Sequence, residues 1–284
     1  MSQDPRLWPA NSRVAHISLQ GQVAQPLVAG EPYRVMVPVL GLYTAPDARQ
    51  LDRQMLMGQA FSVLEIHEGQ AFGFIPGPGG RPSYVGYAAA KGLAQGAPLP
   101  THHVVAIRSF AFAQPSIKTP NPLPLPFGAQ VAVTGEQGPL AQISTGQFVP
   151  KAHLAPLAQQ AQSPVEVAQL FLGTPYLWGG NSAFGIDCSG LVHAAFQACG
   201  RPCPQDSDQQ RQHLAGERLE PGTPLCPGDL LFWRGHVAMA CAPDMLVHAN
   251  AWHMAVAYEQ ASQAQARILA QGDGPVLCHL RPSA

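Results

Sequence analysis

The sequence predicts an α+β protein, and three observations lead there. Proline (29) and glycine (28) are both abundant in the 284 residues, which favours short strands and turns over long helices. From Tyr33 to Tyr87 the apolar runs are short, alternate with polar residues and are punctuated by Gly and Pro. Beyond Ser163 the texture changes. A helical apolar spacing follows Cys188, and three strand-like runs come after it, Leu230 to Trp233, Gly235 to Cys241 and Met245 to Asn250. A helix followed by an antiparallel meander is an α+β plan.

Composition narrows the function. A formal net charge of −1 with 12% charged residues leaves no nucleic-acid footprint. The apolar content is 46%, without an 18-residue apolar run, so no transmembrane helix and no membrane partner are expected. Met1-Ser-Gln-Asp-Pro-Arg-Leu-Trp-Pro lacks a basic stretch followed by an apolar one. It does not read as a secretory signal, and cytoplasmic residence is expected. The six cysteines (188, 199, 203, 226, 241, 278) form no CxxC pair and no zinc-type spacing with histidine. Reduced thiols and no metal site follow from that pattern.

In chain order, residues 1–98 are expected to hold an N-terminal arm and a small barrel. Its strands run from Arg34, from Ala60 and from Gln70, with a final segment at Tyr84-Val-Gly-Tyr. Residues 99–157 repeat the order of features at an offset of about 70 residues, which points to a second copy of the same barrel. Met57-Gly-Gln-Ala-Phe-Ser-Val, for example, is echoed by Phe127-Gly-Ala-Gln-Val-Ala-Val. The Pro-rich Thr119 to Pro126 is expected to be a stiff loop of that second barrel. Residues 158–284 form the third region. Ser163-Pro-Val-Glu opens it as a helix start, with Ser as N-cap, Pro at the first helical position and Glu at the third. Val167, Leu170 and Phe171 are expected on the buried face of that helix.

The chemistry centres on Cys188. Leu191, Val192, Ala195, Phe196 and Cys199 mark one helix face, so Cys188 sits at the helix start, where backbone N–H groups and the macrodipole favour a thiolate. Considered alone, it reads equally well as a buried structural cysteine. His236 and His248 lie on neighbouring strand-like runs. If those pair as a hairpin, the two imidazoles share a face and His248 accepts the second ring N–H of His236. That would supply a nucleophile, a base and an orienting group. His193, His213, His253, His279 and the His102-His103 pair are read as bystanders.

Gly173-Thr-Pro-Tyr-Leu-Trp-Gly-Gly, Gly185-Ile-Asp-Cys-Ser-Gly-Leu-Val, Pro227-Gly-Asp-Leu-Leu-Phe-Trp and Gly235-His-Val together resemble the NlpC family of bacterial cell-wall cysteine peptidases. The resemblance covers essentially the whole third region. It implies a papain-like fold with a Cys-His-His triad, in which Cys188 matches the nucleophile, His236 the base and His248 the third member. It also likens the two N-terminal β segments to the bacterial SH3-like barrels of the murein-peptide-processing branch. That branch cleaves between γ-linked D-Glu and a diamino acid, meso-diaminopimelate or Lys. It prefers free stem peptides that begin with L-Ala.

The binding positions implied are Tyr176, Trp178, Asp187 and Ser189 around the nucleophile, Asp206 and Ser207 downstream, and Tyr84 from the first barrel. As ordinary structural residues, Tyr176 and Trp178 would be core aromatics, Asp187 a helix cap, and Asp206 and Ser207 solvated turn residues. A carboxylate at Asp206 would pair with the free ammonium of L-Ala. Gln59 departs from the Gly-Glu often found in the first barrel of the family, and no acidic residue stands just ahead of Tyr84. The expected activity is hydrolysis of a murein stem peptide, with no organic cofactor and the oligomeric state left open. Amidase or acyl-transfer chemistry on another substrate is one alternative. A non-catalytic wall-peptide-binding module is the other.

Overall fold

The computed structural model describes residues 4–283, in two compact units divided between Leu157 and Ala158. In the N-terminal unit, a five-stranded sheet runs in the order Pro82–Ala89, Gln70–Pro76, Ala60–His67, Glu31–Val35, Leu93–Gln95. The hairpin of Val39–Leu42 with Arg53–Leu56 completes this first barrel. Alternate positions of these strands turn inward. They form a core that includes Val35, Leu42, Met55, Phe61, Val63, Ala71 and Tyr84.

The same order of elements recurs downstream. Arg108–Ala111 pairs with Leu123–Pro126, as Val39–Leu42 pairs with Arg53–Leu56. Gly128, with φ of 80°, follows that hairpin as Gly58, with φ of 82°, follows the first. A meander then leads to a single 3-10 turn, Ala90–Gly92 in one copy and Lys151–His153 in the other. A short strand closes each, Leu93–Gln95 and Leu154–Pro156. Val104, Ala111, Leu125, Val131, Ile143 and Val149 build the second core, and Met57 joins it from the first copy. Gly58 is held to glycine twice over. Its φ is left-handed, and a Cβ there would run into the backbone carbonyl of Gln130.

The C-terminal unit is organised on a six-stranded antiparallel sheet. Its order is Gly216–Leu219, Cys278–Pro282, Leu230–Trp233, His236–Ala242, Met245–Asn250, Ala255–Gln260. The helix Cys188–Ala198 packs on the strands His236–Ala242 and Met245–Asn250, and on the helix Pro164–Leu170. The helix Ala261–Ala270 shares a core with Leu231, Trp233, Ala238, Ala240 and Leu246 through Ala261, Ala264 and Ile268. Among the described residues, no helix is long and apolar enough to cross a membrane.

Two local expectations are corrected, and one helix is added. Leu170 is 51% exposed, and Ala168 takes its place on the buried face beside Val167 and Phe171. In the Pro-rich segment, Leu123–Pro126 is a strand rather than a loop. Pro124 and Pro126 fall at alternate positions opposite Phe110 and Arg108 of a two-stranded ribbon, where missing N–H donors are tolerated. The polar run after Asp206 is a helix, Ser207–His213. It shows no apolar period because two of its buried side chains are Gln209 and Gln210.

Candidate active site

Cys188 is the first residue of its helix, and the residue before it builds the start. Asp187 is the N-cap: Oδ1 accepts from the Gly190 N–H (2.7 Å) and from the Ser189 hydroxyl (3.0 Å). Oδ2 accepts the Gly179 N–H at 3.0 Å, tying the Gly-rich turn to the helix. Gly190 must lack a side chain, because a Cβ would strike the Gly180 carbonyl and the Asn181 side chain. The turn and the helix therefore approach at backbone distance. Cys188 itself is buried, with Sγ 4.0 Å from the carbonyl oxygen of Gly235.

Gly235 lies in the two-residue turn joining Trp233 to His236, which oppose each other in the ladder, and its φ is 72°. That left-handed turn carries the chain past the cysteine and starts the next strand at His236. Side chains alternate along strands, so His236 shares a face with Ala238. His248 shares that face with Leu246, and Glu259 stands directly opposite Leu246. The pairing of Met239 with Val247, continued along the strands, sets His236 and His248 diagonally across from each other. Their rings meet. His236 Nε2 is 2.9 Å from His248 Nδ1, with ring centroids 5.2 Å apart.

The line does not stop at the second histidine. His248 Nε2 lies 3.1 Å from Glu259 Oε2. Arg267, on the helix Ala261–Ala270, grips Glu259 with two hydrogen bonds, Nε to Oε1 at 2.9 Å and Nη2 to Oε2 at 2.7 Å. Neither Glu259 nor Arg267 stood out in the sequence. The one signal is a carboxylate on the strand next to His248, on its face of the sheet. Burial works against ionising Glu259, yet the hydrogen bonds from Arg267 and His248 hold its carboxyl down at about 2. Burial also pushes both imidazoles below the ordinary histidine value. His248 and Arg267 lower His236 further, and Arg267 and His253 act the same way on His248.

The remaining positions singled out in the sequence fall as follows. Ser189 is buried and bound to Asp187. Tyr176 is half-buried, and its backbone N–H donates to Met254 O at 2.9 Å. Trp178 is 58% exposed, so it is no core aromatic. Asp206 and Ser207, both half-buried, start the Ser207–His213 helix. Gln210 of that helix donates to Ser189 O at 2.9 Å, anchoring the segment beside the nucleophile. Tyr84 belongs to the first barrel and is fully buried in its core. Gln59 also works within that unit, where its Oε1 accepts the Leu56 N–H at 2.9 Å.

Two histidines read as bystanders have structural duties. His193 Nδ1 lies 2.9 Å from Cys203 O. His279 Nε2 lies 2.8 Å from Asp229 Oδ2, where Arg281 also binds. Among the described residues, no group of three His, Cys, Asp or Glu side chains is arranged to hold a metal ion.

The NlpC/P60 family profile matches residues 173–270, which hold Cys188, His236, His248, Glu259 and Arg267. The C-terminal unit is an NlpC/P60 domain. A second profile, the bacterial dipeptidyl-peptidase SH3 domain, matches residues 42–93. Over 90 residues the chain is 39% identical to a protein of Bacillus subtilis strain 168 named gamma-D-glutamyl-L-lysine dipeptidyl-peptidase, a match covering 31% of this chain and 29% of that one. Over 97 residues it is 35% identical to the dipeptidyl-peptidase 6 of Lysinibacillus sphaericus, covering 31% of this chain and 32% of the relative. The aligned part thus spans about a third or less of these relatives. A crystal structure of an NlpC/P60 family protein from Bacillus cereus superposes with a TM-score of 0.72. It covers 89% of this chain and 99% of its own at 20% identity. Together these establish an α+β chain with an SH3-like N-terminal part and a papain-like NlpC/P60 domain.

Proposed function

We propose that the protein is a cysteine peptidase that hydrolyses the bond between γ-linked D-Glu and a diamino acid in murein stem peptides. One observation carries the reading. A cysteine at the first turn of a helix has its sulfur beside Gly235 O, and the next residue, His236, leads a continuous line through His248 to Glu259. The name of the Bacillus subtilis relative, gamma-D-glutamyl-L-lysine dipeptidyl-peptidase, supports this substrate class.

In this mechanism the Cys188 thiol gives its proton to His236, and the thiolate attacks the γ-carbonyl carbon of D-Glu. Backbone N–H groups at the helix start stabilise the oxyanion. The C–N bond breaks as the departing amine takes the proton held by His236, leaving a thioester on Cys188. Water, deprotonated by His236, then attacks the thioester carbon. The carboxylate leaves, and the proton returns to the sulfur.

Free peptides beginning with L-Ala are the preferred substrate in this proposal. The Asp206 carboxylate, on a segment anchored to Ser189 O through Gln210, supplies a charged partner for the terminal ammonium. A blocked amine carries no charge and would forfeit that charge-assisted pairing. Trp178, exposed beside the Gly-rich turn, supplies an apolar wall. Recycling of such peptides suits the cytoplasm, and six free thiols suit a reducing compartment. Rates on free and N-acetylated L-Ala-γ-D-Glu-diamino acid test the proposal. A large preference for the free amine supports it, and equal rates contradict the ammonium site.

A further inference from the structure

We propose that Glu259, held by Arg267, sets the tautomers of His248 and His236 and so makes Nδ1 of His236 the nitrogen that takes the Cys188 proton. The inference rests on the peptidase reading of the same site, and it assigns two positioning residues beyond the three that carry the chemistry.

The carboxylate fixes where each proton along the line must sit. An ionised carboxylate can only accept. Both Glu259 oxygens receive Arg267 donors, and Oε2 also faces His248 Nε2 at 3.1 Å. His248 Nε2 must therefore carry a hydrogen, and in the neutral ring that leaves Nδ1 as an acceptor. Facing that acceptor is His236 Nε2, at 2.9 Å. His236 Nε2 then carries a hydrogen, and its free lone pair is on Nδ1. A single carboxylate thus polarises the whole line in one direction. Reversed, the line would put the hydrogen of neutral His236 on Nδ1, and the cysteine would face a donor instead of a base.

The same carboxylate acts on charge. When Cys188 passes its proton over, His236 becomes an imidazolium inside a buried site. Among the described residues, the charged and titratable groups that act on the pair are His253 from the turn after His248, Glu259 from the neighbouring strand and Arg267 from the helix behind, while Cys188 has its sulfur beside the carbonyl of Gly235, the residue before His236. Glu259 is the anion among those that does not react, and Arg267 opposes the imidazolium. Neutralising Glu259 while Arg267 remains reverses the local balance, and the uncharged thiol–imidazole pair becomes favoured over thiolate–imidazolium.

Two measurements on the full-length protein test this. In the wild type, NMR of the histidine ring nitrogens at neutral pH reads the tautomers directly. The hydrogen is expected on Nε2 of both His236 and His248, and a hydrogen on Nδ1 of neutral His248 overturns the proposal without any variant. In Glu259→Gln, which keeps shape and removes charge, the pH profile of Cys188 alkylation by iodoacetamide is compared with the wild type. The wild type is expected to show a thiolate plateau near neutral pH. The variant's plateau is expected to shrink about tenfold or more relative to its alkaline limit, the equivalent of one pKa unit. An unchanged profile in a folded variant overturns the proposal, as does a wild type lacking the plateau. Alkylation needs no substrate. Failure to cleave a murein peptide would therefore sink the proposed function while leaving this result standing.

Discussion

Replacing Asp187 by alanine should destabilise the C-terminal unit by about 2–4 kcal/mol, and the figure follows from what its carboxylate holds. Oδ1 caps the Cys188 helix at the Gly190 N–H, an interaction worth about 0.5–2 kcal/mol in comparable caps. Oδ2 is the acceptor for the buried Gly179 N–H, and a buried donor left without one costs about 1–3 kcal/mol. Asp187→Asn keeps an acceptor for Gly190 and gives up one for Gly179, so it should lose roughly half as much, about 1–2 kcal/mol. Urea unfolding followed by tryptophan fluorescence suits the test, because Trp178, Trp233 and Trp252 are in the C-terminal unit and only Trp8 lies outside it. The helix start also carries the nucleophile, so kcat should fall in the same order. A loss below about 1 kcal/mol for Asp187→Ala, or equal losses for both variants, would show that the carboxylate does not hold the helix start in this way.

Acid sensitivity should follow Glu259. Its folded-state pKa is depressed to about 2, so its contribution is full above the unfolded value and is lost as pH falls through the folded one. Stability of the C-terminal unit should decline between about pH 4.5 and pH 2 by an amount on the order of 3 kcal/mol. The slope should be shallower, not absent, in Glu259→Gln, because Asp229 is also depressed by Arg281 and His279 against the cost of its burial. Asp229→Ala leaves His279 buried without its partner and should lower the thermal midpoint without changing KM, as differential scanning fluorimetry and kinetics would show. Gly190→Ala should abolish activity and cost about 1–3 kcal/mol or more through overpacking, read by unfolding and peptide cleavage. Trp178→Ala, at an exposed position, should raise KM and leave the unfolding midpoint within about 0.5 kcal/mol of wild type.

What was legible in the sequence was local. Ser163 with Pro164 and Glu166 specified a helix start through groups three residues apart, and Ser163 Oγ does accept from the Glu166 N–H. The helix after Cys188 was legible because its buried face is apolar at helical spacing. The Ser207–His213 helix was hidden for the opposite reason. Its inward side chains include Gln209 and Gln210, with Gln210 Nε2 donating to Ser189 O and Pro204 O, and they leave no apolar period. Glu259 and Arg267 were hidden too, because the face they share with His248 depends on which strands become neighbours. Asp229 and His279 are fifty residues apart, and only the sheet order brings them together. Tyr84 lies on an alternating strand, where a tyrosine looks alike in sequence whether it faces a ligand or the barrel core; the structure counts it among the core residues.

In the proposed function Cys188 is the nucleophile of a γ-D-glutamyl–diamino acid peptidase. The most direct test incubates the protein with free L-Ala-γ-D-Glu-diamino acid and follows release of the diamino acid by mass spectrometry. Release by the wild type is expected, with a transient acyl adduct on Cys188, and no release by a folded Cys188→Ala variant. A wild type that releases nothing, or a Cys188→Ala variant that cleaves at the wild-type rate, would contradict it.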